Sequence, residues 1–491
     1  MNNKYFYLNE HVFTRRSDVV NPGKTIFNPA WSTVKTLKGK DQIVGSSSIS
    51  FNLGVSVEVA AEAIGQGSNP ANSVEFTTKS KLNIDGIINE GNIYTNRGRD
   101  IVSGTANAQI AAIAQTVSEA IAIANTVDAT AIANSIASVE IAAVANGIKN
   151  SGKISTGLGS DTVIGEATAS VAAVATATID VTAIVSTIAQ TPMSESLKAV
   201  AGGFATSLAQ AKVLATGINN RYGEIATGSG ADNITATATS YSATYAQAQV
   251  SAVAVAPPDN QALALTVVEA IAQTQDIAIA IDNKYGHINT GYGADIVEAT
   301  ANASDRAIAI YNRHGNIKTG YGTDKIEARA AASEAYGIYG GDIRTGYGAD
   351  TLKVYVTGSK AYGIYGGDIR TGYGADTLEA YATGSEAYGI YGGDIRTGYG
   401  ADTLKASSFG GGVNIKMGYG NDYVEGFGQA TIYGGEDFDT LSLGSYNKSD
   451  FNIQIDNDFT VFELGGTVMR TSEFEQYSFA DGDYSFHNLI A

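Results

Sequence analysis

The eighteen-residue stretch AYGIYGGDIRTGYGADTL recurs almost unchanged from Ala335, Ala361 and Ala387, so the chain repeats itself every 26 residues. A period of that length marks a solenoid. One such unit is too short to enclose a core, so each copy must be a coil that buries its apolar face against the coils before and after it. Small and β-branched residues alternate in runs such as ATATIDVTAIV, which favours strands over helices. The expected fold is all-β, a parallel β-solenoid of the β-helix or β-roll kind with about ten coils.

The aspartate that closes each repeat serves as a ruler: Asp41, Asp100, Asp161, Asp232, Asp295, Asp324, Asp350, Asp376, Asp402, Asp422 and Asp439. The intervals run 59, 61, 71, 63, 29, 26, 26, 26, 20 and 17 residues, so the first four coils carry long insertions. Each insertion begins as an alternating run, and three contain proline near the middle, at Pro70, Pro192 and Pro257-Pro258, which reads as an excursion with a turn. The return leg, for example DNQALALTVVEAIAQTQ, fits either a short helix or another strand. Four regions follow. Residues 1–35, with Trp31, cap one end, and residues 36–294 hold the coils with insertions. Residues 295–439 are the regular array, and residues 440–491, more aromatic and without the glycine loops, close the other end.

Forty-nine acidic against 31 basic residues leave a net charge of −18, which disfavours nucleic acid and anionic membranes as partners and favours cations. Without cysteine, neither disulfides nor thiolate metal sites can hold the fold. The first twenty residues lack the apolar run of a secretory signal, and the Ala/Ile/Val-rich stretches are too interrupted by polar residues to span a membrane.

Charge predicts the register. Glu327, Lys353, Glu379 and Lys405 are each 26 residues apart, as are Glu334, Lys360 and Glu386. Stacked coils lie about 4.8 Å apart, where like charges repel by roughly 1 kcal/mol in water, so alternating signs suit an in-register stack. Tyr347, Tyr373 and Tyr399 should form one uncharged ladder and Thr345, Thr371 and Thr397 another, with Ile343, Leu352 and Val354 alternating inward. Asp342, Asp368 and Asp394 each have an arginine two residues on, and mutual neutralisation is expected there.

The TGYGAD loop behaves differently, because its aspartates stack with no alternation of sign. A hard cation set between coils, held by carboxylate oxygens and by carbonyls that glycine turns toward it, would neutralise such a column, and calcium suits an oxygen-only ligand set. The plainer alternative is a tight corner in which the aspartate satisfies its own turn.

The G-x-G-x-D-x-[LIV] loop resembles the second half of the calcium-binding nonapeptide of the repeats-in-toxin, or haemolysin-type, family. The resemblance implies calcium held between turns of a β-roll by Gly157, Gly159 and Asp161; Gly228, Gly230 and Asp232; Gly291, Gly293 and Asp295; and Gly320, Gly322 and Asp324. It extends the column through Gly346, Gly348 and Asp350; Gly372, Gly374 and Asp376; Gly398, Gly400 and Asp402; Gly418, Gly420 and Asp422; and Asp437 and Asp439 in GGEDFDTL. Proteins of that family leave bacteria through a one-step exporter that reads an uncleaved C-terminal signal, so residues 440–491 are also a candidate signal. The chain departs from the family in having one loop per 26 residues instead of two in 18, so a single cation column in a wider, three-sided coil is expected. The loops at Asp41, with Lys38 and Lys40, and at Asp100, with Arg97 and Arg99, are expected to hold no ion.

Four scattered histidines (His11, His287, His314 and His487) and serines without partners argue against catalysis. The expected function is therefore that of a secreted or cell-surface calcium-binding protein, structural or adhesive, with calcium ions, cell-surface polysaccharide or other solenoids as partners. Two alternatives remain, a polysaccharide-acting enzyme on a β-helix and an ice- or surface-binding solenoid that presents its threonine array.

Overall fold

The computed structural model describes residues 4–489 apart from 65–68, 125–126, 187–197 and 258–259. Its strands form two sheets, of 24 and 14 strands, and every coil pairs with the next in parallel. Equivalent residues sit directly over one another: Ile343, Ile369 and Ile395 are consecutive partners, as are Leu352, Leu378 and Leu404. The expected parallel β-solenoid and its register are what the chain adopts.

Each regular coil has three strands, such as Glu334–Tyr339, Asp342–Tyr347 and Thr351–Thr357. Gly340 and Gly341, both with positive φ, turn the first corner, the glycine loop the second and a short bend the third. Alternation sends Ile343, Leu352 and Val354 into the core, where each is at most 1% exposed.

The insertions are strands on both legs. Gln42–Ile64 returns as Ala71–Asn89, Ile101–Ala124 as Ala129–Asn150, Thr162–Val185 as Lys198–Asn219, and Asn233–Val255 as Gln261–Asp282. Among the described residues there is no α-helix, only three short 3-10 turns. The four wide coils stack into an arm of two facing sheets, filled by small side chains such as Ala112, Ala114, Ala133 and Ala137. Alternation of a buried and a half-exposed residue is what a strand between a neighbouring sheet and solvent requires, and no helix period competes with it. Pro70 stands just before Ala71–Asn89 and Pro257 just after Asn233–Val255, while Pro192 and Pro258 lie outside the described residues.

Both ends are capped. Residues of the first 35 form four short strands, three of which stack on the first wide coil while Phe6–Tyr7 pairs with Ile26–Asn28, and they bury Leu8, Phe13, Val20 and Ile26. Trp31 takes no part in this, being 99% exposed. At the other end Asn452–Asp456, Phe459–Leu464 and Thr467–Ser472 run antiparallel, and Phe451, Phe462, Phe474 and Tyr477 pack beneath them. The change from parallel to antiparallel pairing folds the array's last edge back on itself.

Candidate functional site: a buried aspartate column

The glycine loop is a turn that only glycine can make in this stack. Every glycine of the loop pairs from Gly157 and Gly159 through Gly418 and Gly420 has φ between 93° and 140°, and a Cβ on any of them would overlap the carbonyl of the equivalent residue one coil earlier, Asn96 for Gly157 and a glycine for all the others. The close stacking is sealed by backbone bonds, for example from the Gly348 amide to the Tyr373 carbonyl and from the Gly374 amide to the Tyr399 carbonyl, both 2.7 Å.

Thr345 and Asp350 stand on either side of this turn, and both point inward. The aspartates form one continuous ladder. The Asp324 amide donates to Asp350 Oδ1, the Asp350 amide to Asp376 Oδ1 and the Asp376 amide to Asp402 Oδ1, each at 2.8 Å. The same bond joins Asp41, Asp100, Asp161, Asp232, Asp295 and Asp324, and it continues through Asp422 to Asp439. Asp18 starts the series by donating to Asp41, and Glu475 ends it by accepting from the Asp439 amide. Asp437 lies outside the ladder, exposed on the turn with φ 85°.

The other carboxylate oxygen, Oδ2, is buried and has no hydrogen-bond partner in any of the eleven aspartates from Asp41 to Asp439. Burial raises the pKa values of the ten from Asp100 to Asp439, and the amide bond, helped from Asp100 to Asp402 by the adjacent threonine hydroxyl, offsets only part of the effect. Asp161 and Asp422 are pushed up to about 7. Asp232, Asp350, Asp402 and Asp439 are pushed up to about 6. Asp100, Asp295, Asp324 and Asp376 are also raised, again by desolvation.

Chemically, the column is a row of hard oxygen acceptors, and among the described residues no lysine or arginine is buried with it. Among the described residues no three His, Cys, Asp or Glu side chains converge on one point. An ion here would take one carboxylate oxygen from a coil and draw its remaining ligands from backbone carbonyls, an oxygen-only set of the type calcium accepts. The basic loops at Asp41 and Asp100 carry the same amide bond and the same orphaned oxygen as the others.

Two further ladders run beside the column. Thr345 donates its hydroxyl to the Thr371 carbonyl, and Thr371 to Thr397, at 2.9 and 3.0 Å. These threonines are 1% exposed, so they are not the outward array that an ice-binding face needs. They share the parity of Ile343, which puts them inside. The asparagine ladder was not anticipated: Asn28, Asn89, Asn150, Asn220, Asn283 and Asn312 are joined from Nδ2 to Oδ1 at 2.7 Å per step. Its signal was present as Asn followed two or three residues later by Gly at Asn89, Asn150, Asn220, Asn283 and Asn312.

Outside, the charges pair as the register requires. Lys353 meets Glu379 at 3.1 Å and Lys405 meets Glu425 at 3.6 Å. Glu327 faces Lys353 in the ladder but closes ion pairs with Lys325 and Arg329. Arg344 and Arg370 neutralise Asp342 and Asp368 within their own coils. Exposed Tyr292, Tyr321, Tyr347, Tyr373, Tyr399 and Tyr419 stack with ring centroids 4.7 to 4.9 Å apart. A scan against protein-family models gives no match, and a search of curated proteins gives none either. No helix among the described residues is long and apolar enough to cross a membrane.

Proposed function

We propose that this protein is a structural or adhesive solenoid of the bacterial exterior, non-catalytic, and that calcium neutralises its aspartate column. The observation that carries the reading is the eleven-fold repetition of a buried carboxylate oxygen with no partner. The neighbouring corner builds its ladder from uncharged asparagine, bonded from Nδ2 to Oδ1, so a stacked corner in this fold does not itself require a charge. Aspartate in every coil of the glycine-loop corner therefore speaks for a charged ligand. The likeness of the loops to the haemolysin-type nonapeptide supports the same ion and an exporter-dependent route out of the cell. Cell-surface polysaccharide or other solenoids are the partners in keeping with an acidic, elongated molecule.

One observation favours a second reading, in which the column is an ion-free ladder held by protons. The amide-to-carboxylate bond is as short at Asp41 and Asp100, beside basic side chains, as in the best loops. Calcium titration at pH 8, followed by circular dichroism and thermal melting in chelator, separates the two. Calcium-dependent gain of β signal and melting point, with much less gain from magnesium, supports the cation. Unchanged folding in chelator at pH 8 refutes it.

A further inference from the structure

The arm ends abruptly. The last wide coil, Asn233–Val255 and Gln261–Asp282, is followed by a narrow one that pairs with it only from Asn233 to Thr239 and from Ile277 to Asp282. Asp276 marks the boundary: its Oδ2 accepts from the Ser242 amide, and its own amide donates to Asp305 Oδ2. Beyond that clamp, residues 243–255 and 261–275 pair with the preceding wide coil on one side and, among the described residues, with no strand on the other. Alternate amides and carbonyls along such an edge point outward, unpaired. Residues 261–275 are exposed throughout, with Leu265 at 50% and Val267 at 55%.

The edge lacks the devices that normally keep a strand from pairing with another chain. Residues 243–255 and 261–275 contain no proline, no glycine and one charged residue, Glu269. The arm's opposite edge, residues 44–64 and 71–86, carries Glu58, Glu62, Glu75, Lys79, Lys81 and Asp85, and is interrupted by Gly45, Gly54 and Gly86. Within one molecule, then, one edge is guarded and the other is not.

We infer that the unguarded edge is the docking surface for a second copy of this chain, the two arms pairing antiparallel about a two-fold axis. Coaxial stacking, wide coil on wide coil in the same direction, is blocked because the narrow coils continue directly above the base of the arm. A two-fold rotation avoids them. It turns the second arm to point the opposite way, so that each molecule's narrow coils lie beyond the tip of the other's arm. Residues 243–255 then meet their own equivalents, and so do residues 261–275, giving an isologous interface that closes after two copies. Thirteen residues of one strand and fifteen of the other engage per molecule, against the roughly 20 to 30 residues a side of a stable protein interface. The two sheets of the arm would each run on unbroken from one molecule into the other.

Sedimentation of the full chain from about 0.1 to about 100 μM tests this. The expected result is a reversible monomer–dimer equilibrium. Lysines placed on the edge, Val253→Lys with Leu265→Lys, should weaken it at least tenfold, with the β signal of circular dichroism retained, and Ser56→Lys on the guarded edge should leave it unchanged. Hydrogen exchange of the unaltered protein gives a second readout that no folding defect can confuse: amides of residues 243–255 and 261–275 should become protected as concentration rises. A chain that stays monomeric throughout, open-ended polymers, loss of the dimer in Ser56→Lys, or protection independent of concentration would each overturn the proposal. Monomers whose edge exchanges freely would assign the edge to a foreign strand instead.

Discussion

Replacing Asp350 by asparagine probes the column with a sign that changes with pH. Asparagine keeps the oxygen that accepts the Asp324 amide and removes the charge from the buried position whose second oxygen has no partner. Burial pushes the Asp350 carboxyl from the ordinary 3.8 up to about 6, with the neighbouring carboxylates Asp324 and Asp376 adding to the effect. A raised pKa in the folded state means that the folded chain binds the proton more tightly. The associated stability is fully present below pH 3.8 and is lost as pH rises through about 6. A shift of about two units corresponds to about 3 kcal/mol, the most that removing this charge can return at pH 8. Against that stands a cost of about 1–3 kcal/mol for burying an amide donor without an acceptor, and this cost does not depend on pH. In chelator, the stability of Asp350→Asn relative to the unaltered protein should therefore improve by about 3 kcal/mol between pH 4 and pH 8, from clearly destabilised to near parity or better. Thermal melting by circular dichroism at one-unit pH steps reads this as a convergence or crossing of the two midpoints. Saturating calcium at pH 8 should reverse the order, because the variant lacks the ligand. A constant gap between the two proteins from pH 4 to pH 8 would refute the buried-charge account.

Gly348→Ala should destabilise by about 3 kcal/mol or more, since the new Cβ overlaps the Gly322 carbonyl and φ is 130°, and it should lower the melting midpoint in calcium and chelator alike. Asn220→Ala takes the acceptor from Asn150 and the donor from Asn283, a loss of about 2–5 kcal/mol that amide exchange should localise to the corner at residues 219–223. Lys353→Glu sets a third acidic side chain between Glu327 and Glu379 and should cost at most about 1 kcal/mol because the site is partly exposed; adding Glu379→Lys should recover part of it in a double-mutant cycle. Asp376→Asn should raise the calcium midpoint for folding and Asp100→Asn should not, if the arginines beside Asp100 exclude an ion; equal shifts would mean that the whole ladder behaves as one unit.

The repeat by itself determined the solenoid and its register, because in a parallel stack with one residue over its equivalent, period and neighbour are the same information. That is why Lys353 opposite Glu379, the tyrosine stack and the inward Ile343 and Leu352 could all be read from spacing. The loop glycines were legible for a related reason, since few roles other than positive φ or close backbone approach demand glycine at a fixed interval. Tertiary structure decided where the stacked side chains point. Thr345 is a surface array or a buried ladder according to one step of parity around a corner, and only the fold sets that parity. Whether an aspartate faces solvent, an ion or a backbone amide likewise depends on the coil above it, and the orphaned Oδ2 cannot be inferred from G-x-G-x-D alone. The second legs of the insertions illustrate the limit of local pattern: Ala-rich segments have little preference of their own, and it is the facing leg and the coil on either side that make them strands. The open edge at residues 243–255 and 261–275 arises because a wide coil is followed by a narrow one, and where one strand ends relative to its neighbour is a property of the stack, not of either segment.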